Sequence, residues 1–378
     1  IQNPIWKRQQ PSEERPYMTD NSLTAKKAED VAQQSKKKRP RLFYLDLVRA
    51  LAAILIVITH FNNPYMLGHP VFMYEPFGIY VGSLGVSLFL IISGAALMYT
   101  YGESDKLDCR HFYYKRFIGI YPMFWIAFIL ANAFLFLRNG GHVLASAPKW
   151  SLIFSVLGID GMVANTSFPT FYTLGEWFLG FILIYYALFP LLRCGVKKHP
   201  IITVIIALAL YAATLILQPT IFGLPSDLLM TTRLPELLFG MYFIQYIQKV
   251  PTVAGAGALL VLIIQELHPL LKGSFAVTVV GIGAFLVIVY AAKWLDVQPV
   301  RVPVKSIAKY SYPIFLVHHV LIAQVFTIVD CTALSPFDGY LLFFADFLII
   351  MALAVGLFKL EKATVQYVRS MFATGNRR

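Results

Sequence analysis

The sequence predicts an all-α membrane protein, a polytopic bundle of about ten spanning helices. Of its 378 residues, 58% are hydrophobic and 14% are charged, whereas soluble domains carry roughly 25% charged residues. This excess of apolar side chains requires lipid as a solvent. Lys and Arg fall between the hydrophobic segments and do not form one patch, so the formal net charge of +12 indicates membrane topology and argues against nucleic-acid binding.

The polar ends of the chain flank one hydrophobic domain. Residues 1–40 end in a run of Lys and Arg and are too poor in apolar side chains to bury a core. We expect them to form a largely disordered cytosolic tail, part of which can lie on anionic headgroups. Residues 41–362 are predicted to form the membrane domain and residues 363–378 a short basic cytosolic tail.

Ten hydrophobic segments follow the N-terminal tail, each close to the ~20 residues that cross a hydrocarbon core. They lie at residues 43–62, 78–101, 117–138, 173–192, 200–217, 233–249, 252–267, 274–292, 304–328 and 339–360. The seventh is the shortest. A further apolar stretch at 151–164 contains Asp160 and two glycines, and we expect an external loop or a re-entrant segment there.

Basic residues concentrate in alternate loops. Residues 61–77 and 329–338 contain no Lys or Arg, and residues 139–172 contain only Lys149. The intervening loops hold Lys106, Arg110, Lys115, Arg116, Arg193, Lys197, Lys198, Lys249, Lys293, Arg301 and Lys305. Because positively charged loops stay in the cytoplasm, this pattern predicts ten spans in the plasma membrane with both termini cytoplasmic.

Three ionisable residues in the first segment form a candidate site. Asp46, Arg49 and His60 lie within one stripe at 100° per residue, and Arg49 and His60 are separated along the axis by roughly 16 Å. Ionisable side chains are costly inside a membrane and mark functional positions. If the stripe faces a polar interior, His60 can titrate near neutral pH and transfer protons. The alternative is structural: Asp46 and Arg49 form a helix-end ion pair and His60 is an interfacial residue.

Later segments carry further candidates near that depth. Glu176 begins the fourth segment at its outer end, where it could orient His60 or simply complement a helix N-terminus. His318 and His319 lie in the ninth segment. Adjacent helical residues point about 100° apart, so at most one of these two is expected to face a given site squarely, and an interhelical hydrogen bond is the alternative for either.

Two pairs of charged residues have competing explanations. Arg233 and Glu236 are spaced to pair at i,i+3, which favours a structural role. Lys115 and Arg116 satisfy the positive-inside rule, and they could also bind phosphates of a cytosolic ligand.

Other motifs point away from soluble-enzyme chemistry. Ser93 lacks a GxSxG context, and Ser93-Gly94 favours close helix packing. The three cysteines lack CxxC spacing, which indicates neither a metal site nor a disulfide framework. They are Cys109, Cys194 and Cys331.

Five of these segments resemble, in order, the motifs of the membrane-bound acyltransferase-3 family over almost all of residues 42–360. The matching segments are Phe43–Ala53 continuing to His60 with an Arg-ten residues-His pattern, Gly85–Gly94, Tyr114–Pro122, Arg233–Gly240 and Ser311–His318. Gly119 stands where the family often has a second Arg, and Phe315 stands where many relatives have Tyr.

The resemblance implies an O-acyltransferase that moves an acyl group, usually acetyl from acetyl-CoA as co-substrate, to a hydroxyl of a cell-surface or lipid-linked glycan. It implies no tightly bound cofactor and no metal. The implied roles are catalytic for His60, Glu176, Arg49 and Asp46, donor-binding for Arg116, Lys115, Tyr121 and Ser93, and acceptor-binding or supporting for His318, Tyr312, Arg233 and Glu236.

His60 would act as general base or as transient acyl carrier. Two other functions stay open from the residues alone. A transporter or flippase could use the interior Asp, Arg and His residues as a relay, and a non-catalytic scaffold would tolerate their substitution. The oligomeric state is also open.

Overall fold

A computed structural model describes residues 40–142, 147–164, 170–171, 173–174, 177–221 and 226–375. The chain divides into two units, Ile1–Arg41 and Leu42–Arg378, and the second contains the helices of the described residues. The prediction of a disordered tail at 1–39 lies outside the described residues. The described residues form α-helices with short 3₁₀ and π turns and contain no strand, which confirms the all-α fold.

Twelve α-helices occur within the described part of the chain. They are α1 Phe43–Asn62, α2 Val81–Tyr101, α3 Cys109–Arg138, α4 Leu152–Leu157, α5 Asp160–Ala164, α6 Trp177–Lys198, α7 Pro200–Ile221, α8 Met230–Tyr242, α9 Thr252–Leu267, α10 Gly273–Leu295, α11 Gln298–Val325 and α12 Pro336–Gly375. A π turn, Phe243–Ile247, extends α8. Most of residues 363–378, predicted as a tail, is the continuation of α12.

Among the described residues, seven helices are long and apolar enough to cross a membrane, namely α1, α2, α3, α6, α7, α10 and α12. Three more helices match predicted segments but differ in length or polarity. α8 has 13 residues and α9 has 16, whereas α11 has 28 residues and carries Arg301, Lys305 and Lys309 in its first half. Each predicted segment therefore contains a helix, and the count of ten spans stays a prediction.

The ten long helices alternate in direction. At the end where α1 begins and α2 ends, Arg193 of α6 donates to the Tyr101 carbonyl at 2.8 Å, and the Tyr242 hydroxyl of α8 donates to the Pro200 carbonyl at 2.6 Å. We call this the basic end. At the opposite end, named the His60 end, the Tyr340 hydroxyl at the start of α12 accepts from the amide of Phe72 at 3.0 Å. Alternation is what consecutive spans require.

α2 and α8 pack at the centre through two glycines. A Cβ at Gly94 would lie 2.0 Å from the Leu237 carbonyl oxygen, and one at Gly240 would lie 1.8 Å from the Ile91 carbonyl oxygen. Only glycine permits this approach of two helix backbones, a use of small residues common in membrane bundles. The packing role predicted for Ser93-Gly94 is confirmed at Gly94.

The apolar stretch at 151–164 turns back against the side of the bundle. It contains α4 and α5, and it accepts hydrogen bonds on the Leu157 carbonyl from the Tyr121 hydroxyl at 3.0 Å and on the Val156 carbonyl from the Trp125 indole at 2.9 Å. Tyr121 lies twelve residues into α3, roughly 18 Å along its axis. This contact far along α3 favours a re-entrant segment over an external loop, and the choice between them stays a prediction.

Candidate active site

A cavity of about 320 Å³ opens at the His60 end, among α1, α2, α6, α8 and α11. Its polar lining consists of Thr59, His60, Tyr80, Ser83 and Arg233. Its other lining residues are Ile56, Gly82, Val86, Phe89, Trp177, Phe178, Leu228 and Phe315. A few convergent polar groups in an apolar wall are typical of a small-molecule site.

A second cavity, of about 260 Å³, lies nearer the basic end. Its lining residues are Phe89, Ser93, Lys115, Arg116, Gly119, Ile120, Phe178, Leu179, Ile182, Tyr186, Ser311, Tyr312 and Phe315. Phe89, Phe178 and Phe315 line both cavities. Their ring centroids are 5.7 Å apart between Phe89 and Phe178 and 6.0 Å apart between Phe178 and Phe315. One layer of three rings, which we call the phenylalanine layer, therefore separates the cavities.

His60 meets both histidines of α11. The His60 ring centroid lies 4.9 Å from that of His318 and 5.3 Å from that of His319. Neither His318 nor His319 lines the His60 cavity, so the expectation that at most one of these adjacent histidines faces the site squarely stays a prediction. Within the described residues, no group of three or more His, Cys, Asp and Glu residues is arranged to hold a metal ion.

His318 is fixed by its own helix. Its Nδ1 lies 2.8 Å from the carbonyl oxygen of Phe315 and 3.2 Å from that of Ile314. Since a carbonyl only accepts, Nδ1 carries the proton and Nε2 keeps a lone pair. The side chain is buried, and Nε2 has no hydrogen-bond partner in the described part of the chain. These bonds lie within α11, so they differ from the interhelical bond considered from the sequence.

Arg233 and Glu236 form the predicted pair. Nη1 of Arg233 lies 3.1 Å from Oε1 of Glu236, and both side chains are almost fully buried. The Ser87 hydroxyl lies 3.1 Å from the same guanidinium nitrogen and 3.2 Å from the same carboxylate oxygen. Arg233 also lines the His60 cavity, so the pair holds a guanidinium at the cavity wall.

Asp46 and Arg49 are not brought to His60. Asp46 is buried and Arg49 is half-buried near the start of α1, and neither residue lines either of the two cavities. The roughly 16 Å rise along α1 leaves both far from the histidines. Glu176, predicted to orient His60, lies outside the described residues.

Three of the four residues predicted to bind the donor line the second cavity. Arg116 lies over the rings of Tyr101, Phe112 and Tyr186 at 5.8, 5.8 and 5.6 Å. Its buried Nε has no hydrogen-bond partner among the described residues. Exposed Lys115 lies beside it. Ser93 lines the same cavity, while its hydroxyl donates to the carbonyl of its own helix.

Two candidate tyrosines donate their hydroxyl hydrogens to backbone carbonyl oxygens. Tyr121 lines neither cavity and instead bonds the apolar stretch at 151–164, because five residues along a helix turn it about 140° from Arg116. Tyr312, predicted to bind the acceptor or to support the site, lines the second cavity, and its hydroxyl donates to the Ile120 carbonyl at 3.1 Å. Its helix position fixes its depth on the basic side of the phenylalanine layer.

Sequence reasoning missed Tyr80, which lines the His60 cavity just before α2. Its hydroxyl accepts a hydrogen bond from the Asn63 amide at 3.3 Å. Burial raises the pKa of the Tyr80 phenol above its ordinary value of 10.0, so the group stays protonated and can donate into the cavity. Tyr80 lies in a loop, where no hydrophobic periodicity indicates which residues face a site. Trp177 and Phe178, which also line the cavity, could have been found because they directly follow the candidate Glu176 in the sequence.

Comparison with known proteins identifies the class of this chain as a membrane acyltransferase. The family model described as an acyltransferase domain matches residues 42–358, and the chain therefore belongs to the acyltransferase-3 family. It is 24% identical over 274 residues to a protein named Acyltransferase MdmB from Streptomyces mycarofaciens, which covers 64% of this chain and 68% of that protein. No solved structure matches the chain. The residues alone left an acyltransferase, a transporter or flippase, and a non-catalytic scaffold open, and membership in this family supports the transferase.

Proposed function

We propose that this protein transfers an acyl group, acetyl in the first instance, from cytosolic acyl-CoA to a hydroxyl of a cell-surface or lipid-linked glycan. The observation that carries the proposal is the pair of cavities. One is lined by His60 and the other by Lys115 and Arg116, and they meet at the phenylalanine layer. The protein would lie in the plasma membrane with the basic end in the cytoplasm, where acyl-CoA is made.

The second cavity suits the donor. Coenzyme A carries phosphates, and Arg and Lys bind phosphate through charge-assisted hydrogen bonds. The rings around Arg116 hold its guanidinium in place, and its Nε has a hydrogen left to donate. A cavity of about 260 Å³ is too small for the whole coenzyme. The nucleotide would stay near Lys115, with the pantetheine arm directed toward the phenylalanine layer.

The His60 cavity suits a hydroxylated acceptor. Thr59, Tyr80, Ser83 and Arg233 place hydroxyl and guanidinium groups around the imidazole. Such groups can orient a sugar by hydrogen bonds, while the apolar wall excludes water that would otherwise hydrolyse the thioester.

His60 would act as general base. It takes the proton of the acceptor hydroxyl as that oxygen attacks the thioester carbonyl carbon. The resulting oxyanion can be stabilised by Arg233 or by the neutral phenol of Tyr80. The C–S bond then breaks, and His60 returns the proton to the CoA thiolate. The products are the O-acyl ester and free CoA.

A second route uses His60 as nucleophile. Its neutral nitrogen attacks the thioester, the C–S bond breaks, and the CoA thiolate takes the remaining ring proton of the acyl-imidazolium and leaves as the thiol. The acceptor hydroxyl then attacks the acyl group, and its proton returns to the imidazole as the N–acyl bond breaks. Radiolabelled acetyl-CoA supplied without acceptor separates the routes, since only this route leaves label on the protein.

Substitution of His60 tests the proposal. Membranes that contain the natural acceptor and equal amounts of wild type or His60→Ala would receive labelled acetyl-CoA, and alkali-labile label in glycans would be measured. We expect His60→Ala to lower transfer at least about 100-fold. The matched control is His268→Ala, which removes an exposed histidine at the same end of the bundle. Wild-type transfer by His60→Ala would contradict the proposal.

A further inference from the structure

We propose that His318 is a positioning residue for His60. Its Nε2 accepts a hydrogen bond from the ring N–H of His60, which fixes the tautomer of His60 and directs the other, unprotonated nitrogen into the cavity. The inference rests on the proposed function and adds to it the residue that prepares the base.

The first support is that His318 can only accept at Nε2. Its Nδ1 hydrogen is shared between the carbonyls of Phe315 and Ile314, which fixes both the tautomer and the ring. The side chain is 1% exposed, so water does not reach it from bulk solvent. What remains is one buried lone pair.

The second support is the set of rings around that lone pair. His60, Phe315 and His319 have centroids 4.9, 6.0 and 6.4 Å from that of His318. Phe315 has no polar hydrogen, and the ring of His319, with its centroid 6.4 Å away, is too distant for a direct N–H···N bond between two imidazoles. Of the three rings, His60 is therefore the nearest and the one placed to give a hydrogen.

The spacing agrees with such a bond. Two imidazoles joined by an N–H···N bond of about 2.9 Å have centroids about 5 Å apart. In the structure Nε2 of His318 has no partner among the described residues, so His60 must turn its ring to make the bond. We expect acceptor binding to produce that turn, since catalytic hydrogen bonds are often open in free enzymes.

The consequence is that His318 would fix the tautomer and orientation of the base His60 from the side away from the acceptor. In serine hydrolases a carboxylate holds the catalytic histidine in the correct tautomer. Here a neutral imidazole would do so, with its own orientation set by the backbone of α11. His60 then presents a lone pair to the acceptor hydroxyl.

Two variants separate hydrogen bonding from packing. The amide of Gln reaches the position of Nε2, whereas the amide of Asn reaches that of Nδ1 and no further. His318→Gln therefore keeps an acceptor for His60, and His318→Asn removes it. With labelled acetyl-CoA and acceptor-containing membranes, we expect His318→Asn to lower kcat about 100-fold with KM for acetyl-CoA unchanged, and His318→Gln to restore most of that loss.

His319 supplies the matched control, since its ring is also close to His60 at 5.3 Å. His319→Asn and His319→Gln should each stay within about three-fold of wild type. Equal losses in His318→Asn and His318→Gln would overturn the proposal in favour of packing, and so would full activity in His318→Asn. If wild type transferred no acetyl, the proposed function would fail instead.

A spectroscopic readout is independent of both activity and variant folding. In wild type labelled with ¹⁵N-histidine, in the presence of acceptor-containing membranes, we expect one tautomer for His60 and a hydrogen-bond coupling between its ring and that of His318. A mixture of His60 tautomers without that coupling would overturn the assignment.

Discussion

At the residue scale, Arg233 is held in place before any substrate binds. Its guanidinium Nη1 donates hydrogen bonds to Oε1 of Glu236 and to the hydroxyl of Ser87 inside the bundle. Burying two charges is costly unless both are paired and hydrogen bonded. Here Oε1 of Glu236 is paired with Arg233 and hydrogen bonded to Ser87, whereas buried Oε2 has no hydrogen-bond partner among the described residues. A donor fixed in this way needs no reorganisation when negative charge develops beside it.

Glu236→Gln tests this arrangement. The change keeps the shape but removes the carboxylate charge that lies 3.1 Å from Nη1 of buried Arg233, so we expect a loss of about 3 kcal/mol in stability, measured by thermal unfolding in detergent. Thr278→Val is the control, because Thr278 contacts the same carboxylate oxygen only at 3.5 Å. An unchanged unfolding midpoint in Glu236→Gln would contradict the assignment.

Residue type and spacing predicted part of the site. His60 lines one cavity, as its cost inside a membrane suggests. Arg116 lines the other, where the phosphate-binding alternative would need it. The positions of Tyr121 and Tyr312 could not be predicted in the same way, since tyrosine occurs at many membrane depths and the direction of its side chain depends on neighbouring helices. The convergence of both α11 histidines on His60 likewise depends on where α1 lies, which the spacing of one helix does not contain.

At the element scale, the contact of α2 with α8 sets the geometry of both cavities. α2 carries Ser83 and Ser93 to them, and α8 carries Arg233. Because the two backbones touch at Gly94 and Gly240, a change in their separation moves these side chains together.

We expect Gly240→Ala to reduce both folded yield and acyl transfer. Its Cβ would lie 1.8 Å from a carbonyl oxygen of α2, so the helices must move apart. Gly257→Ala in α9 is the control, since a Cβ there meets nothing within 4 Å and alanine is the better helix former. Size-exclusion profiles after heating would distinguish them. Equal profiles would show that the close contact is dispensable.

The phenylalanine layer joins α2, α6 and α11, and we expect it to limit the acyl group. Phe315→Ala should raise transfer from butyryl-CoA relative to acetyl-CoA by about ten-fold, the scale on which a pocket discriminates methylene groups. Competition between the two donors would measure the ratio. Phe344→Ala, at an exposed position of α12, should leave it unchanged. The same ratio in both variants would exclude the layer as the determinant.

At the scale of the whole molecule, the basic end collects most loop charge, although Lys272 lies at the His60 end. Cys109 and Cys194 are exposed at the basic end, and Cys331 lies at the His60 end. These positions can report which end faces the cytoplasm.

An impermeant maleimide tests the predicted orientation. In intact cells it should label Ala333→Cys in an otherwise cysteine-free chain, because Ala333 is exposed at the His60 end. A chain that keeps only Cys194 should react after permeabilisation and not before. Labelling of Cys194 but not of Ala333→Cys in intact cells would place the His60 end in the cytoplasm. That result would contradict the proposal that the donor binds from the cytoplasm and the acceptor from outside.

Composition and hydrophobic segments were enough to predict a helical membrane bundle, because lipid leaves few other solutions for such a chain. They did not predict the two cavities. Phe89, Phe178 and Phe315 come from distant parts of the sequence, and hydrophobic periodicity indicates that a residue faces inward without indicating which other helix it meets.

The phenylalanine layer also matters for the electrical resistance of the membrane. In the proposed orientation, the two cavities approach opposite sides of the bilayer, and a continuous column of water between them would conduct protons and discharge the cell's ion gradients. Apolar constrictions block ions by excluding water. In that orientation the three aromatic rings would serve as an insulating partition, so that a substrate from one side could be used on the other without a proton leak.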